Sequence, residues 1–306
     1  MRAWPIIGSA ILGLAIANAS VSVAAKRSVP RQLIAHIRGA RVTTDVFLGN
    51  SLVAAGIDEQ AFNAASKGQH ALNSGLGNSE ATEHYQLLLL NGERKFHRLF
   101  YGFFDSQLTS ANSTTVASLY GNRAMQFFTN RDTAVRYLFP DAPIDALQFR
   151  VLSLFPMYVN RGAVWAEAER LRRSIGQIGM PYDRVSRFGR VKDFAQEDTA
   201  SRSEGEPENA ALSPAVTAIV RYGLRHGARV CFVRMPMPSS HRILRNSGPE
   251  WSRYEHSLRL QASRHGAYYL DASSWIDDSL FIDALHLSPA GAVRFSQRLA
   301  HEGEVE

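Results

Sequence analysis

Three residues of the sequence could together turn a hydroxyl group into a nucleophile. Ser51 follows Gly49 and Asn50, whereas Asp283 and His286 lie close together near the carboxyl terminus. A serine hydroxyl is a weak nucleophile at neutral pH, so it needs a neighbouring base, normally a histidine whose tautomer is held by a carboxylate. These residue types in the order Ser, Asp, His favour acyl transfer through a serine, provided that the fold brings the two segments together.

Each of the three residues also has a purely structural interpretation. Serine is a preferred N-cap, so Ser51 could simply begin a helix. Asp283 could accept hydrogen bonds from loop amides, and His286 could be a packed histidine. An element order that places both segments at one edge of the fold would favour chemistry over these alternatives.

The rest of the sequence alternates short apolar runs with stretches of helical spacing. We predict strands at 42–48, 61–65, 96–104, 229–233 and 267–270, and helices at 80–95, 114–128, 159–178, 214–225 and 251–264, with a last helix that opens at Ser288. Strands separated by helices are typical of a parallel sheet that is covered on both faces. The pattern therefore predicts an α/β fold, a three-layer αβα sandwich, with a helical insertion at 110–210 that ends in a polar loop at 184–209.

In such a sheet, reactive groups belong in the loops at the carboxyl ends of the strands. That rule selects Ser51 after the first predicted strand, Asp105 after the third, Arg234 after the fourth, and residues 283–286 before the last helix. Because parallel strands share one carboxyl edge, we expect these residues to lie close together. The turn at Ser51 lacks the second glycine of the Gly-x-Ser-x-Gly elbow that α/β-hydrolases use.

Two segments resemble the SGNH/GDSL hydrolase superfamily. FLGNSL at 47–52 is similar to its first block, with Asn50 where that block has aspartate, and DALHLSPAGA at 283–292 closely resembles its last block. The resemblance extends over residues 40–108 and 228–302 and implies a divergent, membrane-associated member that acts in the cell envelope. It implies Ser51 as the nucleophile, His286 as the general base and Asp283 as the partner that orients the imidazole.

The resemblance also implies an oxyanion hole, which this sequence fills only in part. The backbone amides of Ser51 and Gly68 would contribute, with Gly68 as the candidate for the glycine of the second block. The third block of the family supplies an asparagine side chain, but here Phe104 occupies that position. Losing one such donor typically slows catalysis by about 100- to 1000-fold. Gln107 or Asn63 could supply an amide instead.

Three further residues are candidates for binding substrate near Ser51. Arg234 and His241 follow the fourth predicted strand, and Asp105 follows the third. They could bind an acyl-glycan or a phosphate group, and the alternatives are a solvated arginine, a loop histidine and a carboxylate that accepts loop amides. No metal is expected, because the remaining histidines lack metal-ligand spacing, and no cofactor, because no glycine-rich phosphate loop or dinucleotide fingerprint is present.

The amino-terminal segment suggests export. Residues 4–25 carry no charge, and as a helix they would span about 33 Å, enough for the hydrocarbon core of a bilayer. A cleaved secretory signal, an uncleaved anchor and a buried core helix are the three interpretations. We predict that residues 1–30 are a signal peptide or membrane anchor and that 40–306 form the hydrolase-like domain, outside the cytoplasm in the periplasm or cell envelope.

Composition limits the remaining classes of function. Apolar residues make up 45% of the 306 residues and charged residues 20%, which excludes a disordered chain. The single cysteine, Cys231, excludes a disulfide framework and a cysteine-based zinc site. The net charge of +6 is spread without a dense basic block, so we expect no nucleic-acid partner.

These observations lead to three hypotheses of function. The first is a serine esterase or O-acyltransferase that works through an acyl-Ser51 intermediate on ester-linked acyl groups of an envelope polysaccharide, with a membrane acyltransferase as a possible partner protein. The second is a weakly catalytic or non-catalytic glycan-binding partner in a polysaccharide-modification complex, because the third-block asparagine is missing. The third is a lysophospholipase-like esterase whose lipid-ester substrate would lie in a pocket of Phe100, Phe103 and Phe104.

Overall fold

The structure, a computed structural model, describes residues 3–25, 29–66, 68–77, 79–109, 131–139, 141–160 and 211–302. The chain divides into two compact units, one of residues 1–38 and 113–181 and the other of residues 39–112 and 182–306. The segments predicted as helices at 114–128 and beyond residue 160, and as a loop at 184–209, lie outside the described residues.

The elements follow the alternation that the sequence predicts. The strands are β1 (Asp45–Leu48), β2 (Ala71–Asn73), β3 (Arg98–Phe103), β4 (Arg229–Arg234) and β5 (Ala267–Asp271). The helices are α1 (Ala3–Ala25), α2 (Val29–Gly39), α3 (Ser51–Gly56), α4 (Glu59–Ala65), α5 (Ala81–Leu89), α6 (Arg131–Leu138), α7 (Pro143–Leu152), α8 (Pro156–Val159), α9 (Pro214–Arg225), α10 (Ser239–Arg245), α11 (Gly248–Arg264) and α12 (Pro289–Glu302).

The larger unit is built on one parallel sheet of five strands in the order β2-β1-β3-β4-β5. In this order the chain moves outward in opposite directions from β1 and β3. Sheets of this order bind ligands beyond the carboxyl ends of the two adjacent strands from which the chain diverges, here β1 and β3. The topology thus singles out the ends of β1 and β3 as the place for a site.

Helices cover both faces of the sheet, as the predicted three-layer fold requires. On one face, Phe47 and Phe100 pack into an apolar cluster with Phe62 of α4, Val53 of α3 and Phe295 of α12. On the other face lie α5, α9 and α11: Tyr101 of β3 bonds to α5, α9 packs on β4 at Gly223, and Arg234 lies over a ring of α11. The α/β sandwich predicted from the sequence is therefore confirmed.

One predicted strand is wrong. Residues 61–65 form part of helix α4, and the second strand of the sheet is Ala71–Asn73. The helix begins there because Asp58 is its N-cap, with its carboxylate accepting from the Ala61 N–H at 2.8 Å. Its apolar side chains at helical spacing include Phe62, which is fully buried.

The smaller unit is helical in its described part. Ala134, Val135, Phe139, Ala146 and Phe149 of the α6–α7 segment form its apolar core. Helices α1 and α8 lie against each other, and the Met157 N–H donates to the Asn18 side chain at 2.8 Å. Within the residues that the structure describes, no helix combines the length and the apolarity that crossing a bilayer requires.

Candidate active site

Ser51 is the first residue of helix α3, which follows strand β1 after Gly49 and Asn50. The preceding Asn50 is the N-cap: its side-chain oxygen accepts from the Leu52 N–H at 2.9 Å. Asn50 therefore occupies the capping role that was the structural alternative for Ser51. The Ser51 hydroxyl remains available at the carboxyl edge of the sheet.

Two glycines allow α3 to pack directly on the strand ends. Gly49 has φ +153°, and a Cβ there would overlap the Val53 side chain and lie 2.6 Å from the Gly102 carbonyl oxygen. A Cβ at Gly102 would overlap Val53 as well and would lie 2.8 Å from the Met235 sulfur. Larger residues at these two positions would push away the turn that carries Ser51.

Asp283 and His286 lie in a short loop between a turn of 3₁₀ helix (Asp278–Leu280) and α12. Two backbone hydrogen bonds close the loop: Ile282 N–H donates to the His286 carbonyl at 2.9 Å, and Ser288 N–H donates to the Leu280 carbonyl at 2.8 Å. Inside it, the Asp283 carboxylate accepts from the backbone N–H of His286 at 2.6 Å. The loop thus fixes both side chains before any substrate is present.

The three side chains form a continuous hydrogen-bond relay. The Ser51 Oγ lies 2.9 Å from His286 Nε2, and His286 Nδ1 lies 2.8 Å from the nearer oxygen of Asp283. A carboxylate can only accept at Nδ1, so the proton of the neutral ring sits on Nδ1 and Nε2 accepts the hydroxyl proton of Ser51. The proximity of Ser51 and His286 that the sequence predicts is observed, and the arrangement suits a base-activated serine.

Asp283 is held as a carboxylate. Burial alone would raise the pKa of its carboxyl group, but the hydrogen bond and charge of the His286 ring, with the backbone amides of His286 and Leu285, hold that pKa below its usual range. The side chain is 7% exposed. A buried negative charge here favours the Nδ1–H tautomer of His286 and stabilises an imidazolium when Nε2 takes a proton.

The positions predicted for Gly68 and Asn63 are wrong. Both precede β2: Asn63 lies on α4 and accepts from the Ala71 N–H at 2.7 Å, at the amino end of that strand. Ser51 follows the carboxyl end of the parallel neighbour β1, so these residues lie at the opposite edge of the sheet. The error follows from the misplaced second strand, which put the wrong glycine after it.

The glycine that does lie beside Ser51 is Gly77, which the sequence reasoning missed. A Cβ built at Gly77 would be 3.8 Å from Ser51 Cβ. The residue belongs to the loop after β2, in which the Leu76 N–H donates to the Gly49 carbonyl at 2.9 Å. The Gly-x-Gly pattern at 75–77, three residues after the apolar Leu72, is the signal that could have identified it.

Gln107 lies next to the serine turn. Its side-chain oxygen accepts from the Asn50 side-chain NH₂ at 3.4 Å. The Asn50 side chain turns its oxygen toward the Leu52 N–H and its NH₂ toward Gln107, so the Gln107 NH₂ points away from Asn50. The hydrogen bond joins the ends of β1 and β3, the two strands from which the chain diverges.

The structure does not present Arg234 or His241 to a substrate. The Arg234 side chain is 5% exposed, bonds to Asp271 at 3.1 Å and lies 4.5 Å from the centre of the Trp251 ring. His241 is 2% exposed, and its Nε2 lies 3.0 Å from the carboxylate of Asp105. The substrate-binding roles predicted for these two residues are therefore corrected to structural ones.

Asp105 lies in the turn after β3 and accepts hydrogen bonds from two side chains, those of His241 and Asn246. It adopts φ +44°, a conformation that aspartate tolerates better than most residues, and it also accepts from the Asn246 side chain at 2.9 Å. Burial would raise its pKa, but the hydrogen bonds from His241 and Asn246 hold that pKa below the usual range. Its carboxylate fastens α10 to the end of β3. The substrate-binding role predicted for Asp105 is thus also corrected to a structural one.

Fold and site together define an α/β protein with a Ser–His–Asp relay at the carboxyl edge of a parallel sheet. Among the described side chains, no group of three or more His, Cys, Asp or Glu residues could hold a metal ion.

Comparisons with known proteins add little to this picture. No protein-family model matches the chain, and no curated protein matches it. Among solved structures, it is similar to a protein assigned as an arylesterase from Agrobacterium tumefaciens strain C58, at 12% identity and a TM-score of 0.35, over 86% of this chain and 99% of that one. It is also similar to a carbohydrate acetylesterase from Sinorhizobium meliloti, at 11% identity and a TM-score of 0.35, over the same shares. Values this low do not establish a shared activity.

Proposed function

We propose that this protein is a serine esterase of the SGNH type, or an O-acyltransferase that uses the same first half-reaction. The observation that carries the proposal is the unbroken relay from Ser51 Oγ through His286 to Asp283, with distances of 2.9 and 2.8 Å. A serine that only capped a helix would need no imidazole at its hydroxyl, and here Asn50 is the cap.

In the first half-reaction, Ser51 Oγ bonds to the carbonyl carbon of an ester while His286 Nε2 takes the hydroxyl proton. The carbonyl oxygen becomes an oxyanion in the tetrahedral intermediate. As the intermediate collapses, the bond to the alcohol oxygen breaks, and the imidazolium returns its proton to that oxygen. The products are an acyl-Ser51 ester and a free alcohol, and the charge of Asp283 stabilises the imidazolium in between.

We assign the oxyanion hole to the backbone amides of Ser51 and Gly77. The first lies at the start of α3, where N–H groups have no partner within the helix. The second comes from the loop whose Gly77 lies beside Ser51. The Gln107 NH₂ is the candidate for a third donor, in place of the amide that Phe104 cannot supply.

In the second half-reaction, either water or a sugar hydroxyl attacks the acyl-Ser51 ester, with His286 again as the base. Water yields an esterase, and a sugar hydroxyl yields a transferase. An acylated polysaccharide of the cell envelope suits both outcomes, and a membrane acyltransferase would be the natural donor of acyl groups for the second.

The pocket proposed for a lipid chain does not exist as the sequence suggested. Phe100 is 2% exposed and stacks on Phe47 in the core, with ring centres 4.8 Å apart. Phe103 is fully buried and meets the Tyr269 ring at 5.7 Å. Two of the three rings therefore belong to the core, and a short acyl group is the better-supported substrate.

The proposal is tested with a fluorophosphonate probe and with short-chain aryl esters and acetylated xylan. We expect the probe to label Ser51 in the native protein and ester turnover to be detectable. Ser51→Ala and His286→Ala should abolish labelling and lower turnover to background, because each breaks the relay. Comparing acetyl with long-chain aryl esters then separates a deacetylase from a lipid esterase.

Ser279→Ala and His256→Ala are the matched controls, because both replace exposed residues of the same unit. They should retain labelling and turnover. A native protein that binds acetylated xylan tightly but never reacts with the probe would instead support the glycan-binding hypothesis and end the proposed mechanism.

We also propose that the protein acts outside the cytoplasm, on the strength of the uncharged segment 4–25. Cell fractionation followed by mass spectrometry of the mature amino terminus tests this. Recovery of the uncleaved chain in the cytoplasm would contradict it.

A further inference from the structure

A chain of three buried polar side chains runs beneath the loop that carries Gly77. The hydroxyl of Tyr101 lies 2.8 Å from His84 Nδ1, and His84 Nε2 lies 2.7 Å from Ser79 Oγ. The Ser79 hydroxyl in turn reaches the Leu76 carbonyl at 2.5 Å. Tyr101 and His84 are fully buried and Ser79 is 7% exposed. Water therefore does not reach these polar groups, and they satisfy one another's hydrogen bonds.

The direction of every hydrogen bond in this buried chain follows from one fact. A carbonyl oxygen can only accept, so Ser79 must donate its single hydroxyl proton to Leu76. Ser79 Oγ then accepts at its other contact, which places the ring proton of His84 on Nε2. His84 Nδ1 is left as an acceptor for the Tyr101 hydroxyl. Burial lowers the pKa of His84 to about 3, so the ring is neutral as this pattern requires.

The loop held by this chain is the one that lies beside the serine, residues 74–77. Ser79 fixes the Leu76 carbonyl from below, while the Leu76 N–H donates to the Gly49 carbonyl at 2.9 Å. The loop also lies directly on α3: a Cβ at Gly75 would overlap the backbone nitrogen of Ala54. The N–H and the carbonyl group of Leu76 are thus both held by hydrogen bonds, and Gly77 is the residue that follows it.

We propose that the Tyr101–His84–Ser79 chain positions the 74–77 loop against Ser51, and that the rate of acyl transfer depends on it. The inference rests on the proposed function, because it assigns the Gly77 amide to the oxyanion hole. The three residues touch no substrate and are positioning residues. Their effect is exerted in the transition state, where a donor displaced by about 1 Å can cost on the order of 100-fold in rate.

The sequence provides a matched pair of serines for the test. Ser74 is the first residue of this loop and Ser79 follows the loop. Both are buried, but among the described residues the Ser74 hydroxyl has no hydrogen-bond partner. We expect Ser79→Ala to lower kcat for an aryl acetate by about 10- to 100-fold, with KM within about twofold, because the loss affects the transition state rather than substrate binding. Ser74→Ala should leave both constants within about twofold of the native values.

Two measurements do not depend on activity. The ¹⁵N spectrum of the native protein should show His84 protonated at Nε2 and unprotonated at Nδ1. Hydrogen exchange of the Leu76 amide should be faster in Ser79→Ala than in Ser74→Ala, because only the first variant releases the Leu76 carbonyl. Tyr101→Phe, which removes the donor at the far end, should shift the His84 nitrogen signals and lower kcat in the same direction.

The outcomes separate this inference from the proposed function. A native protein that the fluorophosphonate probe does not label would overturn the proposed function, and the exchange and tautomer measurements would still decide whether the buried chain positions the loop. If the native protein is labelled but Ser79→Ala and Ser74→Ala share one kcat and one Leu76 exchange rate, the positioning role is wrong. The opposite His84 tautomer would also overturn it.

Discussion

Asp283 both accepts hydrogen bonds that hold its loop and provides the negative charge next to His286. One of its oxygens accepts two backbone N–H groups, from Leu285 at 2.9 Å and from His286 at 2.6 Å, and the other lies 2.8 Å from His286 Nδ1. The same carboxylate therefore shapes the loop and selects the histidine tautomer. These two roles can be separated, because an amide of the same size keeps an acceptor oxygen.

Asp283→Asn is expected to preserve the conformation of the loop but not the Nδ1–H tautomer of His286. The asparagine oxygen can still accept the backbone amides, while its NH₂ would face Nδ1 and favour the Nε2–H form of His286, which cannot accept the Ser51 proton. Reversing the tautomer in a serine relay typically lowers kcat by about 10⁴-fold. Steady-state kinetics on an aryl acetate, with circular dichroism to check the fold, measures this.

Asp277→Asn is the control for that experiment. Asp277 lies in the same segment and accepts from Ser279 at 2.9 Å, but it is exposed to solvent. Its substitution should leave kcat within about twofold of native, since it does not contact His286. Equal and small losses of kcat in both variants would mean that Asp283 does not control the tautomer of His286.

Residues with a local sequence signature were the ones that could be predicted. Asp283 and His286 are close along the chain and precede a Ser-Pro helix start, so their loop could be predicted from the sequence. Arg234 could not be interpreted in this way. Its partners Trp251 and Asp271 come from a helix and a strand that meet it only in the fold, so the sequence showed a charge without its neighbours.

At the scale of elements, α5 is unusual because its polar side chains are buried. Thr82, Glu83, His84 and Gln86 are all 5% exposed or less. His84 belongs to the buried chain beneath the 74–77 loop. Glu83 accepts from the Glu80 N–H at 2.5 Å and closes the first turn of the helix. An element of this kind couples the stability of the fold to pH.

Burial raises the pKa of Glu83 to about 8, and the nearby charge of Glu80 acts in the same direction. In the unfolded chain the carboxyl titrates near its ordinary value of 4.5. Between these two values the folded protein binds one proton more than the unfolded chain, so its stability falls as pH rises through this window. The slope is at most about 1.4 kcal/mol per pH unit.

His84 changes stability in the opposite sense but at lower pH. Its folded pKa of about 3 lies below its ordinary value of 6.5, so its contribution rises with pH and is complete above 6.5. Across most of the window from pH 6.5 to 8 the contribution of His84 is therefore nearly constant, whereas that of Glu83 falls. In Glu83→Gln, which keeps an acceptor for Glu80, the decline of the free energy of unfolding across this window should disappear.

Urea unfolding at half-unit steps of pH measures that decline. Glu250→Gln, at an exposed position of α11, is the control and should keep the native slope. A native protein with a flat profile from pH 6.5 to 8 would show that Glu83 is ionised in the fold and would contradict the expectation.

The order of elements explains both the success and the main error of prediction from sequence. Strands β1, β3, β4 and β5 are short, apolar and bounded by turns, and each was predicted close to its observed bounds. The edge strand β2 has only three residues and a single buried one, Leu72, so its pattern is too short to be recognised. The apolar side chains of α4 fit the pattern of a strand better, and this displaces the expected oxyanion glycine from Gly77 to Gly68.

In the unit that contains the sheet, the carboxyl ends of the strands (the carboxyl edge) and their amino ends (the amino edge) carry different groups. The carboxyl edge holds Ser51 and its relay, built on glycines and tight loops. The amino end holds a buried ion pair between Asp45 of β1 and Arg98 of β3, whose side chains are 1% and 10% exposed. The Arg98 guanidinium also bonds to Gln69 and lies 5.2 Å from the centre of the Phe100 ring. The separation predicts that stability can be changed at one edge without changing chemistry at the other.

Arg98→Leu tests this separation. It leaves the Asp45 carboxylate buried without its counter-ion, and breaking a buried pair on one side typically costs about 3–5 kcal/mol of the free energy of unfolding. Asp45→Asn combined with Arg98→Leu removes the unpaired charge and should recover part of that loss. Arg298→Leu, which breaks a half-exposed pair with Glu302, should cost about 1 kcal/mol or less.

The decisive comparison is between stability and turnover in the same preparations. At 25 °C and without denaturant, the folded fraction of Arg98→Leu should hydrolyse an aryl acetate with native kcat and KM, because Ser51 lies at the far end of the strand that pairs with β3. The denaturant midpoint should fall in the same protein. A loss of kcat as large as the loss of stability, with the protein still folded, would mean that the strands transmit a change at the amino edge to the serine, and the two edges would then have to be treated as one site.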